Sequence, residues 1–325
     1  MTRYDVFNGD ADGLCALHQL RLSDPADTRL VTGTKRENAL LDRVPAVAGD
    51  AVTVLDLALP GNRDALIALL GRGVRVRYVD HHEPGEVPRH ALLDALIDTD
   101  PEVCTSVLID RTLDGAQRAW AIVGAFGDNL AVTAHRLADT MQLADAQRDR
   151  WRALGECLNY NAYGLSEDDL IYRPAQLYRA LAPYADPERF IADEPHFTRL
   201  SQARASDLEQ ARALAPTVRG PGASVYLLPD EGWARRVFGT LANHLVSQDP
   251  RRAHAVVVPR SGDRYILSLR VPADAPASAH SLCAPYGGGG RARAAGIDHL
   301  SRAQLASFEQ ALARTFAATP DERQQ

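Results

Sequence analysis

A chain of 325 residues with 46% hydrophobic and 24% charged side chains exceeds one ordinary core and points to a globular protein of two domains. Its formal charge of -6 excludes the global positive field that holds long nucleic acid non-specifically, while leaving room for local basic patches that grip a small anion. The four cysteines, Cys15, Cys104, Cys157 and Cys283, lie far apart with no CxxC pair, which fits neither a zinc site nor a disulfide framework and matches a reducing cytosol. With no basic-then-apolar leader and no run of 18 apolar residues, the sequence reads as cytoplasmic, with no membrane partner.

The first predicted strand, Tyr4–Phe7, runs into NGDADG, Asn8 to Gly13. In extended geometry Asp10 and Asp12, at i and i+2, point the same way. Two like charges that close need a positive partner, and hard divalent cations with oxygen ligands are the usual one. The competing reading is a loop in which both acids merely cap the helix starting near Leu14. That helix reaches Leu22, and the strand Arg29–Thr32 then ends on Gly33-Thr34-Lys35-Arg36. Lys35 and Arg36 either meet a substrate phosphate at the site rim or belong to an exposed loop.

A helix over Asn38–Arg43 is followed by the apolar strand Ala51–Leu55, which ends on Asp56. The helix Gly61–Leu70 stops at Gly71 and Gly73, and the strand Val74–Val79 ends on Asp80-His81-His82. This alternation predicts an α/β fold, a mainly parallel sheet flanked by helices on both faces, with ligands at the carboxyl ends of the strands. Cys104-Thr105-Ser106 opens the helix Val107–Leu113, whose first N–H groups take an anion or are simply capped. A helical run over Trp120–Gly124 breaks at Phe126-Gly127-Asp128-Asn129. Singly, Asp56 reads as a loop cap, His81 or His82 as a satisfied polar residue, and Asp128 as part of a turn. Acids and imidazoles at three strand ends of one sheet form a metal-type constellation.

From Leu130 to about Asp207 the pattern is mostly helical, with breaks at Pro174, Pro183 and Pro187. Within Gly155–Ala162, too polar for a plain core helix, Asn159 and Asn161 touch substrate or bond at the core edge. The predicted domains are 1–195, a helical connector 196–222 and a smaller α/β domain 223–325. The connector holds the helix Phe197–Ala215 and closes on the Pro/Gly-rich stretch Pro216–Gly222. The last domain carries the strand Ser224–Leu228, the helix Ala234–Val246, the strands Ala255–Val258 and Tyr265–Leu269, and a final helix Arg302–Ala317. Asp321–Gln325 read as frayed. Before that helix lie Gly287, Gly288, Gly289 and Gly290, followed by Arg291-Ala292-Arg293-Ala294-Ala295. Bare N–H groups ahead of a helix-forming run can cradle an anion, and Arg291 and Arg293 add charge. Arg270 is a further basic candidate or a surface salt bridge.

NGDADG, VLDLAL, VDHH and GDN, in that order, resemble the four motifs of the DHH phosphoesterase superfamily over the first half of the chain. GGGGRARAAG resembles the glycine hallmark of the DHH-associated substrate domain, with Arg291 at the position of its histidine, and Ser268-Leu269-Arg270 resembles that domain's Ser-x-Arg stretch. The resemblance implies two divalent cations, most often Mn²⁺. Asp10 and Asp56 would hold one. Asp12, Asp56, His81 and Asp128 would hold the other, with Asp56 bridging. Asn8 stands where many members carry His or Asp and would offer the first ion only an amide oxygen. His82 is implied as the substrate-facing catalytic histidine and Asp80 as the partner that orients the imidazoles. Arg270, Gly288, Gly289, Gly290 and Arg291, with Lys35 and Arg36, would bind substrate in a cleft between the domains.

Two cations about 3.5–4 Å apart activate a water and clamp a phosphoryl oxygen. The expected activity is therefore Mn-dependent hydrolysis of short nucleotides: linear dinucleotides or oligoribonucleotides, and cyclic dinucleotides, whose phosphodiesterases the opening DVFNGDADG most resembles. The competing readings are a RecJ-like single-strand exonuclease, which needs a basic channel and stacking aromatics, a 3′-phosphoadenosine 5′-phosphate phosphatase, and a non-catalytic nucleotide sensor. The expected partner is a small nucleotide, without a stable long nucleic-acid complex; a homodimer stays open.

Overall fold

The apolar runs of the first half pair into a wholly parallel sheet of five strands: β1 (Arg3–Asn8), β2 (Arg29–Gly33), β3 (Ala51–Leu55), β4 (Arg75–Asp80) and β5 (Leu93–Ile97), in the order β2-β1-β3-β4-β5. The helices of this region are α1 (Ala11–Ser23), α2 (Arg63–Gly71), α3 (Thr105–Thr112), α4 (Arg118–Gly127), α5 (Ala131–Thr140), α6 (Asp145–Ala162), α7 (Pro174–Leu181) and α8 (Pro187–Asp193). Side chains alternate across a strand, and the two faces bury different partners. Tyr4, Val6, Val52, Val54, Val76 and Tyr78 share a core with Leu66 and Leu69 of α2. Phe7, Leu55 and Val79 face the opposite core, built from the other seven helices. The sheet is thus covered on both faces, as the strand–helix alternation predicts.

The computed structural model describes residues 1–317, so the expected fraying of Asp321–Gln325 lies outside the described residues. The chain divides into two units, Met1–Ala203 and Arg204–Gln325. Among the described residues, no helix is long and apolar enough to cross a membrane.

Two departures in the first unit have simple causes. The helix expected over Asn38–Arg43 is a single 3₁₀ turn, Leu41–Arg43. The strand β5 has no counterpart in the sequence reading, because its three middle residues are exposed at the sheet edge and leave no alternation to detect.

In the second unit, β6 (Val218–Arg219), β7 (Ala223–Leu227), β8 (Ala253–Arg260), β9 (Arg264–Arg270), β10 (Gly289–Gly290) and β11 (Ala294–Ser301) form a mixed sheet in the order β10-β11-β9-β8-β7-β6. The helix α9 (Pro195–Arg212) leads into this unit, and α10 (Gly232–Gln248), α11 (Ala279–Cys283) and α12 (Arg302–Thr315) complete its elements. Here the run after the glycines corrects an expectation: Ala294–Ser301 is a strand, not a helix. Ala295 and Ile297 alternate into the core, and β11 pairs with both β10 and β9. Gly290 has φ 142°, and a Cβ there would lie 2.5 Å from the Ala294 carbonyl oxygen. Gly290 therefore serves close strand pairing, and a strand rather than a helix N-terminus follows the glycine run.

Candidate metal centre

Phe7 sits opposite Leu55, and Leu55 opposite Val79. The residues that follow them, Asn8, Asp56 and Asp80, leave the sheet at one level along its carboxyl edge, where ligands collect in such sheets. Asp10 is the N-cap of α1, with Oδ1 accepting the Gly13 N–H at 3.1 Å, and Asp12 lies in the first helical turn. A turn into a helix, rather than an extended strand, thus carries the two acids, and the capping reading holds for Asp10. A Cβ on Gly13 would fall 2.2 Å from the Asn8 carbonyl oxygen, so glycine alone lets α1 start this close to β1. Asp56 adopts φ 57°, a left-handed conformation that costs a non-glycine residue about 1–2 kcal/mol and gathers at functional sites.

Asp12 makes the best-supported contacts in the cluster. Its Oδ2 accepts the Thr105 N–H and its Oδ1 the Ser106 N–H, each at 2.7 Å. The anion at the N-terminus of α3 is therefore the protein's own carboxylate, and those N–H groups are not left for a substrate phosphate. Thr105 Oγ1 also lies 3.5 Å from Asp56 Oδ1. Nothing in the sequence near Asp12 signals this partnership; the only trace was the polar start of α3.

His81 lies among the acids. Its Nε2 is 3.4 Å from Asp56 Oδ1 and 3.9 Å from both Asp12 Oδ2 and Asp128 Oδ2. Asp128 caps the C-terminus of α4. Two sets of ligand atoms converge within 4.8 Å: Asp12, His81 and Asp128, and Asp56, His81 and His82. The partner of Asp80 is His82, whose Nδ1 is 2.8 Å from Asp80 Oδ1. That bond raises the pKa of His82 against the effect of its burial.

The electrostatics are those of crowded acids. Burial, then the charges of Asp10, Asp12 and Asp128, hold the Asp56 proton well above the usual carboxylate range. Burial and Asp12 push Asp128 up to about 6, with Lys35 pulling the other way. Burial would raise Asp10 too, but the charge and hydrogen bond of the Lys35 ammonium, with hydrogen bonds to the Asp56 side chain and the Gly13 N–H, together lower it. Carboxylate oxygens with one imidazole nitrogen make a donor set suited to a hard or borderline divalent cation, and like charges this close call for one.

The remaining candidates fall elsewhere. Lys35 bonds to Asp10 Oδ2 and, at 3.2 Å, to Asn159 Oδ1, so Asn159 touches the centre through Lys35. Asn161 is structural, bonded to both the N–H and the carbonyl of Tyr172. Asn8 Oδ1 accepts the Asp10 N–H at 3.2 Å. Arg36 is exposed. Arg270 donates to Asn243 Oδ1 at 2.8 Å and to Ser268 Oγ at 3.0 Å. Gly288, Gly289, Gly290 and the exposed Arg291 lie with Arg270 in the second unit, at or next to the β10 edge.

No family model and no curated protein matches the sequence. Solved structures do. Exonuclease RecJ bound to manganese is similar with a TM-score of 0.62 and 21% identity, over 99% of this chain and 92% of that one. RecJ from Thermus thermophilus in complex with Mn²⁺ gives a TM-score of 0.61 and 21% identity, over 96% of this chain and 52% of that one. The pGpG-specific phosphodiesterase PggH from Vibrio cholerae gives 0.56 and 14%, over 98% of this chain and 99% of that one. The chain has a RecJ-like fold. The similarity spans both units, the glycine-bearing second sheet as well as the parallel sheet that carries the acids.

Proposed function

We propose that this chain is a DHH-superfamily phosphoesterase, a metal-dependent phosphodiesterase that hydrolyses short nucleotides, with linear dinucleotides first among them. The observation that carries the reading is the gathering of Asp12, Asp56 and Asp128, from three other segments, within 3.9 Å of His81 Nε2. These four residues would hold a divalent cation, for which we propose Mn²⁺. When bound, the ion lowers the pKa of an attacking water and offsets the negative charge that protects a phosphodiester.

The chain's own groups supply the rest. Thr105 and Ser106 hold Asp12 in place through backbone N–H groups, so that carboxylate needs no reorganisation when substrate arrives. Asp80 fixes His82 through Nδ1, which leaves Nε2 to donate to the phosphate or to the departing oxygen. Arg270, Arg291 and the glycines before it are the proposed substrate-binding residues of the second unit, since the Arg291 guanidinium still donates to phosphate where the family places histidine. Similarity over nearly the whole of PggH supports a substrate of two nucleotides. The four cysteines, all buried and none in a disulfide among the described residues, fit a reducing cytoplasm.

The test is incubation with Mn²⁺ against pGpG, cyclic dinucleotides, 3′-phosphoadenosine 5′-phosphate and a long DNA strand, with products read by chromatography. Cleavage of pGpG above the others is expected. Absence of metal-stimulated bond breakage on every substrate would leave a nucleotide-binding protein. The somewhat higher TM-score to RecJ favours a second reading, a single-strand exonuclease, which a rate on long DNA equal to that on pGpG would select.

A further inference from the structure

We propose that the Lys35 ammonium stands where the DHH resemblance places the first divalent cation, so that this chain holds one such ion and not two. The inference rests on the metal-dependent reading above and concerns only how many ions the centre takes. Both residues that the resemblance assigns to the first ion alone are turned toward protein donors. Asp10 Oδ1 accepts the Gly13 N–H at 3.1 Å, Asp10 Oδ2 accepts from Lys35, and Asn8 Oδ1 accepts the Asp10 N–H at 3.2 Å. Among the described residues, Asp10 belongs to neither set of convergent ligand atoms, and both sets share His81. One ion beside His81 satisfies either set.

Lys35 is held in this place by its surroundings. Its backbone N–H donates to the Ala162 carbonyl at the end of α6, at 3.0 Å. The turn that carries it is braced by Glu37, which accepts the Thr34 N–H at 2.8 Å and returns its own N–H to the Thr34 carbonyl at 3.0 Å. The ammonium then lies 3.2 Å from Asn159 Oδ1, 3.7 Å from Asp128 Oδ1 and 5.8 Å from the centre of the Tyr163 ring. A lysine ammonium is a compact point charge with three donors. It offers Asp10 and Asp128 what a cation would offer, at half the charge. A divalent ion on the same Asp10 oxygen would meet a positive charge at contact distance, which is unfavourable at any dielectric a protein provides.

The test uses the full chain, stripped with chelator and titrated with Mn²⁺ by calorimetry, with bound ions counted and electron paramagnetic resonance recorded on the loaded protein. One Mn²⁺ per chain and the spectrum of an isolated ion are expected. In Lys35→Ser the count rises to two and the spectrum of an exchange-coupled pair appears, while Asp10→Asn still binds one. Two ions in the unaltered protein overturn the inference and leave the phosphodiesterase reading standing. No ion at all removes both. A folded Lys35→Ser that still binds one, or an Asp10→Asn that binds none, shows that Lys35 does not hold the place of an ion. Should Lys35→Ser fail to fold, the unaltered protein and Asp10→Asn decide the matter.

Discussion

Asp12 Oδ1 accepts the backbone N–H of Ser106 at 2.7 Å, joining positions 94 residues apart in the sequence. With the matching bond from Thr105, it sets a buried carboxylate against the positive end of α3, where a negative charge is favoured. Asp12→Ala leaves two buried N–H groups without their acceptor, at about 1–3 kcal/mol, and relieves some repulsion from Asp56 and Asp128. The lost bonds outweigh the relief, so the chelator-treated variant should unfold at lower urea than the unaltered protein. A variant more stable than the parent would show that Asp12 is no anchor for α3.

Asp128 should behave in the opposite sense. It makes no such pair of bonds, and its pKa is pushed up to about 6 by burial and by Asp12. A folded-state value above the unfolded 3.8 means that the folded chain holds this proton more tightly. The stability gained from it is full below about pH 4 and is lost as pH rises through about 6. At pH 8, Asp128→Asn should therefore stabilise the metal-free protein by about 1–3 kcal/mol. Mn²⁺ must displace the same proton, so its affinity should fall below about pH 6. Equal stability of parent and Asp128→Asn at pH 8 would refute the crowding of acids.

Asp56 couples charge to backbone strain. At φ 57° an alanine is penalised more than an asparagine, whose side chain tolerates the left-handed region. Asp56→Asn keeps that conformation and the shape while removing a charge that four neighbouring carboxylates, Asp10, Asp12, Asp128 and Asp80, oppose. The metal-free variant should be at least as stable as the parent. Loss of a positioning partner around a metal costs about 10–100-fold, so loss of a ligand should cost Mn²⁺-dependent hydrolysis of pGpG on the order of a hundredfold or more. Activity retained at saturating Mn²⁺ would remove Asp56 from the centre.

The parts of this centre that lie on strand ends were legible because strand periodicity and the parallel-sheet rule place them without any tertiary information. Asp56 and Asp80-His81-His82 belong to this class. The Asp12 bonds to α3 and the Lys35 bond to Asp10 were not, since each depends on segments brought together only by the finished core. Asn159 drew notice because the stretch Gly155–Ala162 is too polar for a plain core helix, but its partner could not be read from it. The run after the glycines, Arg291–Ala295, was read as helix-forming because alanine and arginine favour helices locally; Ala294 and Ala295 belong instead to β11, whose pairing with β9 and β10 overrode that preference. The exposed strand Leu93–Ile97 carries no pattern that marks it as part of the sheet.

Away from the centre, His18 should govern acid stability with a sign opposite to that of Asp128. It is buried on α1, its Nε2 2.7 Å from the Tyr184 carbonyl and its ring edge-on to Trp120 at 4.6 Å. Burial lowers its pKa to about 4, the carbonyl contact only partly opposing this. The neutral ring is therefore the folded form, while the unfolded chain takes up the proton near 6.5. Its contribution is complete above about pH 6.5 and is lost as pH falls toward 4, amounting to no more than about 3 kcal/mol. In His18→Gln, which can still donate to the Tyr184 carbonyl, the fall in stability between pH 7 and pH 4.5 should shrink by about 1–3 kcal/mol. Comparing both proteins in an Asp128→Asn background separates this titration from the acid that opposes it. An unchanged fall in that background would mean that His18 is already accessible to protons in the folded chain, and that the packing against Trp120 does not exclude water.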